Sequence, residues 1–332
     1  MKMTTICQVA GVSRSSFYAW LKRPVSQRAK KNTELTAKLK RLHRESRETY
    51  GAPRLTAQLK SEGHSHGRKR IANLMKKAGI FGCARKKYRP MNTTRSNHDL
   101  LISPRLFEVE NKEALPKGPN QVWVGDQTYI PTSEGWLFLT TVMDVYNREI
   151  VGHSMSNHLR AETVWEAMKL GIGQRQDALG PEAPTLIAHS DRGGQYASEY
   201  YRKKLKLLGV TQSMSRSGNC YDNAYAESFF HTVKVELTHR HEFKTRTEAR
   251  NAIREYIDWY NCNRLHSALG YQSPVEYERR LLPYSSWSCP FFRGKITGEL
   301  GRNFALDEVF PFTASGRGAR RSLIYERRSG RG

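Results

Sequence analysis

Cysteine is scarce in this chain of 332 residues. The five present (Cys7, Cys83, Cys220, Cys262 and Cys289) are scattered, odd in number and nowhere spaced as C-x-x-C. That usage argues against a disulfide framework and against a zinc site. His64 and His66, with Cys83 far downstream, match no zinc module and read as turn residues. Long apolar runs are missing too. None approaches the roughly 20 residues of a membrane span, and no signal-peptide pattern is apparent. A soluble, cytoplasmic protein with no membrane partner is expected. Acid is what the front of the chain lacks: residues 1–90 hold 4 Asp/Glu against 23 Lys/Arg. Residues 91–282 balance at 23 of each, and the segment from Pro283 carries 9 bases against 4 acids. The overall charge of +24 is thus concentrated ahead of a neutral body. A phosphate-gripping module joined to a catalytic domain has this distribution. The length allows two or three domains with a sizeable core.

The most informative stretch runs from Thr185 to Glu236. The apolar run Leu186–Ala188 ends in His189-Ser190-Asp191 and then Arg192-Gly193-Gly194, the pattern of a buried strand that stops at a glycine turn with a carboxylate at its tip. After 35 intervening residues comes Glu227, beside a helical stripe of Ala226, Phe229, Phe230, Val233 and Leu237. Upstream, Val122, Val124, Asp126, Thr128 and Ile130 share one strand parity, which puts Asp126 on an apolar face. An acid there is costly unless it is paired or bound to a cation. Taken singly, Asp191 could cap a turn, Glu227 could be a solvated helix residue and Asp126 could pair with a base. Together, acids at strand ends and on a facing helix can converge on Mg²⁺ or Mn²⁺. Two such ions clamp the attacking and leaving oxygens of an in-line phosphoryl displacement.

The order Asp126, Asp191, Glu227 lies within W-x-x-D-x-T-Y, H-S-D-x-G-x-Q-Y and D-N-A-x-x-E-S. It resembles the DDE transposases of the retroviral-integrase superfamily. Within these it is most similar to the second-reading-frame (OrfB-type) protein of the IS-three family of bacterial insertion sequences. The likeness runs from about Thr5 to Tyr277 and includes the closing segment Tyr260–Tyr271, where Arg264 and His266 could support the active-site helix or touch DNA. The resemblance implies an RNase-H-like α/β core, with a mixed sheet flanked by helices, behind all-α helix-turn-helix modules. It implies a DNA transposase whose three acids hold two metal ions for 3′-end cleavage and strand transfer, working as a homo-oligomer on element ends and target DNA. It leaves open whether the chain acts alone or with an upstream-frame partner protein. It also gives Lys234, seven residues and roughly 10 Å along the helix from Glu227, a DNA contact near the cleaved end. A non-catalytic helix-turn-helix regulator and a structure-selective RNase-H-like nuclease are the alternatives.

The remaining segments fit that plan. Residues 1–30 form a first helix-turn-helix: Ile6, Val9 and Ala10, a turn at Gly11, then packing by Val12, Phe17, Trp20 and Leu21, with Arg14, Ser15 and Ser16 leading the second helix to DNA. Residues 31–92 form a second. A helix over 33–50 precedes one begun by Pro53, and after the Gly63–Gly67 turn comes a groove-entry helix, Arg68 to Ala78. The latter buries Ile71, Leu74 and Met75 and displays Arg68, Lys69, Arg70, Asn73, Lys76 and Lys77. A linker over 93–118, with Arg85–Arg89 extending the basic surface before it, leads to the core at 119–282. There strands are expected at Val122–Ile130, Trp136–Val142 and Glu149–Ser154, followed by alternating helices and short strands and a helix over Thr247–Asn261. Asp144 reads as a turn residue and Asp222 as a helix N-cap; residues 283–332 form an atypical tail.

Overall fold

Serine hydroxyls start two of the helices at the front of the chain. The computed structural model describes residues 3–83, 99–108, 115–175, 185–216 and 223–281. Helices α1 (Met3–Val9) and α2 (Arg14–Leu21) flank Gly11, whose φ of 62° supplies the turn; Ser13 Oγ caps α2 by accepting the N–H of Ser16. The packing expected of this pair is not realised. Only Cys7 is buried, while Val9, Trp20 and Leu21 stay exposed, because two helices this short enclose too little volume to cover their apolar side chains. Ser26 Oγ caps α3 (Gln27–Glu45), which starts earlier and ends sooner than its apolar period indicated. Arg47 and Glu48, both at positive φ, turn the chain away after it. Helix α4 (Ala52–Ser61) carries Pro53 in its first turn, and α5 (Arg68–Lys77) buries Ile71, Leu74 and Met75 as expected.

Behind the front helices the described chain forms a five-stranded mixed sheet in the order β3-β2-β1-β4-β5. Strands β1 (Val122–Thr132), β2 (Gly135–Asp144) and β3 (Ile150–Ser156) form an antiparallel meander; β4 (Ile187–Ser190) and β5 (Thr211–Met214) add in parallel to the β1 edge. Each parallel addition needs a crossover. The first includes α6 (Ala161–Gln174), which lies so close to β3 that a Cβ on Gly152 would sit 2.1 Å from the Ala167 carbonyl. The second includes α7 (Gly194–Ala197) and α8 (Glu199–Leu207). Helices α6 to α8 cover one face around Trp123. The other face is covered by α9 (Ala224–Val233), its π-helical continuation Lys234–Thr238 and α10 (Arg246–Cys262), in one core with Leu35, Leu39, Leu55 and Ile71 of the front helices. Helix α11 (Pro274–Leu281) closes the described chain. Its Glu278 joins Arg175 and Glu149 in a buried ion cluster that also takes Asn147.

Residues 99–108, within the segment expected to be a linker, lie along β5. Leu106 N–H donates to Ser213 Oγ (2.9 Å), Ser103 Oγ donates to Gln212 Oε1 (2.8 Å), and Phe107 is 1% exposed. Cys7 and Cys83 are free thiols whereas Cys262 is disulfide-bonded, against the sequence expectation. Which cysteines meet is decided by Cα separation in the fold, not by spacing along the chain. The basic run Arg85–Arg89, Asp222 and the tail 283–332 lie outside the described residues.

Candidate active site and nucleic-acid interface

Parallel pairing of β1 with β4 sets Gly125 opposite Ser190, so Asp191, just past the end of β4, stands beside Asp126, which lies within β1 rather than at a strand end. Strands this close are about 4.8 Å apart. Glu227 comes from the first turn of α9, which packs against β1 and β2. Burial first, and Asp191 second, push the Asp126 pKa well above the ordinary carboxylate value; Glu227 acts in the same direction, and the Gln127 N–H bond and the Lys234 charge oppose it. Glu227 is raised as well, by burial and then by Asp191. Asp191 therefore makes ionisation of both Asp126 and Glu227 harder, and Glu227 adds to the effect on Asp126. They do not yet form a cage. Among the described residues no three His, Cys, Asp or Glu side chains converge tightly enough to enclose a cation.

Each acid is held by local structure. Asp126 Oδ1 accepts the N–H of Gln127 (2.7 Å), and Asp191 Oδ1 accepts that of Gly193 (2.9 Å). Beneath Gly125 lies the Tyr196 ring, which a Cβ at Gly125 would approach to 3.2 Å. Strand β4 is clamped by His189. Ser213 Oγ accepts from Leu106 and Ser215 Oγ donates to the Ser190 carbonyl, so the two hydroxyls fit an imidazole that accepts at Nδ1 (2.9 Å) and donates from Nε2 (3.2 Å). The start of α9 is fixed by Tyr225, packed against Phe107 and beneath the Arg148 guanidinium at 4.3 Å. Sequence reasoning passed over His189, Phe107, Tyr225 and Arg148. Only His189 carried a signal, its place in H-S-D.

Lys234 is half-buried, with Nζ 5.1 Å from the Tyr129 ring centroid; burial lowers its pKa and Asp126 raises it. The expected lysine thus lies on the side of α9 that faces the acids. Asp144 is buried and accepts from the N–H groups of Asn120 (2.6 Å) and Tyr146 (2.8 Å), the turn role expected of it. Arg264 and His266 are supporting residues: Arg264 is buried on Glu236, and the His266 ring packs edge-on against Tyr260. On α5, Arg68, Lys69, Asn73, Lys76 and Lys77 are exposed, and the exposed Arg70 donates to Asn32 Oδ1 (2.8 Å). Arg14, Ser15 and Ser16 are exposed at the start of α2, where both serine hydroxyls bond Ser13 Oγ.

A mixed sheet with one acid within its central strand and another at the exit of the parallel neighbour, a third on a covering helix and a basic helical front defines a polynucleotidyl transferase with an integrase core and a helix-turn-helix-like region. Two family models described as "Integrase core domain" match residues 116–220 and 208–274, and one described as "HTH-like domain" matches residues 30–88. The 31 kDa uncharacterized protein of insertion element IS600 from Shigella sonnei is 41% identical, over 83% of this chain and 98% of its own length. Transposase InsF of insertion sequence IS3A from Escherichia coli (strain K12) is 36% identical, over 83% of this chain and 94% of its own. The chain belongs to the IS3 family of insertion-sequence transposases. Among solved structures, a simian T-cell lymphotropic virus intasome aligns at TM-score 0.41 and 13% identity, over 72% of this chain and 74% of that one. An HTLV-2 integrase catalytic core in complex with magnesium aligns at 0.37 and 14%, over 49% and 98%. DNA is therefore the partner, and the activity is that of a transposase. Among the described residues no helix is long and apolar enough to cross a membrane.

Proposed function

We propose that Asp126, Asp191 and Glu227 are the catalytic acids, cutting the 3′ end of the element and joining it to a second strand. The observation that supports this is that Asp191 opposes ionisation of both Asp126 and Glu227, the three side chains being supplied by β1, the end of β4 and α9. The oxygen-only donor set fits Mg²⁺ or Mn²⁺, in two ions, and cation binding would draw the three side chains inward from their present separation. When bound, the metal supplies an acidified water and neutralises charge on the transferring phosphate. The chain's own residues do the rest. The Gly193 and Gln127 N–H groups orient the two aspartates, His189 fixes the β4 exit, and Lys234 meets a phosphate beside the cut. Lys69, Lys76 and Lys77 grip phosphate from α5, with Asn73 and the neighbouring arginines at the base edges. Arg14, Ser15 and Ser16 add contacts from the first helical pair. The modules at 1–30 and 31–92 bind the ends, and the core at 119–282 does the chemistry.

Two ends must be held for joining, so the working assembly is a homo-oligomer on DNA in the bacterial cytoplasm. Adding the upstream-frame protein tests whether it is also needed. The decisive experiment follows a labelled end duplex in Mg²⁺ with Asp126→Asn, Asp191→Asn and Glu227→Gln. Each should abolish cleavage and joining while end binding persists. Near-normal strand transfer by any of them would remove that residue from the site.

A further inference from the structure

Nine residues beyond Glu227 on the same helical rod, Glu236 sits in the π-helical turn and is 7% exposed. Its carboxylate is already satisfied within the catalytic body. Arg264 holds it with two bonds, Nε to Oε2 (2.8 Å) and Nη2 to Oε1 (2.7 Å), and the Tyr256 hydroxyl donates to Oε2 (2.8 Å). A second guanidinium nevertheless reaches it from the front helices: Arg54 of α4 places Nη1 3.7 Å from Oε1. Arg54 Nε donates to the Leu265 carbonyl (2.9 Å), while the Tyr50 hydroxyl accepts from Leu265 N–H (2.7 Å) and donates to the Asn263 carbonyl (3.2 Å).

This contact is hard to explain as local stabilisation. One arginine neutralises one carboxylate. The extra positive charge is disfavoured, as the lowered pKa of Arg54 reflects, by burial first and by Arg264 second. The neighbouring turn is strained as well. Arg47 and Glu48 hold φ of 54° and 57°, a left-handed conformation disfavoured for residues other than glycine. That turn too is gripped from the catalytic body: Arg240 Nη1 donates to the Arg47 carbonyl (2.8 Å) and Nη2 pairs with Glu48 (3.3 Å), and Arg47 Nη2 donates to the Glu255 carbonyl (3.3 Å). A disfavoured charge and a strained turn persist together where surrounding structure over-determines them.

We propose that Arg54 and Tyr50 are positioning residues that fasten the end-binding helices to the rod carrying Glu227, so that the spacing from recognised bases to cleaved phosphate is set by the Arg54–Glu236 contact. This rests on the active-site reading above. Helix α4 packs on α5, the helix assigned to the groove, so a shift at Arg54 moves the bound duplex relative to the acids.

The test uses the full chain on an end duplex in Mg²⁺, with every cut mapped to the nucleotide. Arg54→Met should bind the end within about threefold of wild type, yet lose on the order of 10²-fold at the native phosphate, the penalty for a displacement near 1 Å. Its residual cuts should spread to neighbouring phosphates. Arg54→Lys should recover part of the native cut, and Tyr50→Phe should fall between. Independently of chemistry, the Leu265 amide should exchange faster with solvent in Arg54→Met without DNA. A single native cut at wild-type rate, or unchanged Leu265 exchange, would overturn the proposal. So would parallel loss of binding, cutting and thermal stability without rescue by lysine. If wild type fails to cut any end, the active-site reading fails first; the exchange result still decides whether the fastening exists.

Discussion

Asp126→Asn should make the protein more stable and inactive at once, because the same charge that prepares the site for a cation opposes folding without one. Two charges set apart by one inter-strand spacing, about 4.8 Å, at an effective dielectric constant near 20 would repel by at most about 3 kcal/mol. Asp126 escapes part of this by holding a proton more tightly than a free carboxyl does. The relief available to the asparagine variant at neutral pH is then on the order of 1 kcal/mol, a rise in Tm of roughly 2–4 °C for a domain of this size. Magnesium should reverse the order. At ten times its Kd, a ligand bound by the folded state alone adds about 1.4 kcal/mol, and only the wild type should gain it. The assay is thermal unfolding of both proteins in EDTA and across a Mg²⁺ titration, with strand transfer measured on the same samples. A variant that melts below wild type in EDTA, or that gains equally from Mg²⁺, would refute the reasoning.

The pH dependence has a definite sign. The folded Asp126 pKa lies above the unfolded value of 3.8, so its contribution in EDTA is fully present below that value and is lost as pH rises through the folded pKa. Melting curves against pH should show this component flattened by Mg²⁺ and missing from Asp126→Asn. Lys234→Ala should slow strand transfer less than loss of any acid, with Lys234→Arg recovering part of it; wild-type rates for the alanine variant at physiological salt would make Lys234 a bystander. Replacing Lys69, Lys76 and Lys77 together by glutamine should lower the slope of log affinity against log salt by about 3, since each phosphate contact contributes about 0.9; an unchanged slope would move the DNA off α5. Tyr196→Phe should stabilise the protein by about 1 kcal/mol in thermal or denaturant unfolding, because the buried hydroxyl lacks a hydrogen-bond partner among the described residues; a loss of that size would mean the hydroxyl is satisfied in solution.

Much of this protein was legible one residue at a time. The spacing of Ile71, Leu74 and Met75 gave α5 its buried side because residues three and four apart share one face of a helix. The alternation through β1 put Asp126 on the buried face because a strand repeats every two residues. The order and spacing of three acids within their motifs carried the family. All of these are short-range or pattern information.

The tertiary structure decided which charges are buried and what they meet. Arg54 carried no signal in the sequence and Arg264 only the choice between supporting the active-site helix and touching DNA, yet one donates to a carbonyl 211 residues away and the other holds a carboxylate 28 residues back. Phe107 looked like part of a linker and became core, because β5 offered an open edge with Ser213 ready to accept a backbone N–H. Asp126 and Asp191 became neighbours through the parallel register of β1 and β4, which only the crossover through α6 makes available. Local sequence sets the conformation of a segment. The burial of an ionised group, and hence its pKa and its partner, depends on every element that closes over it.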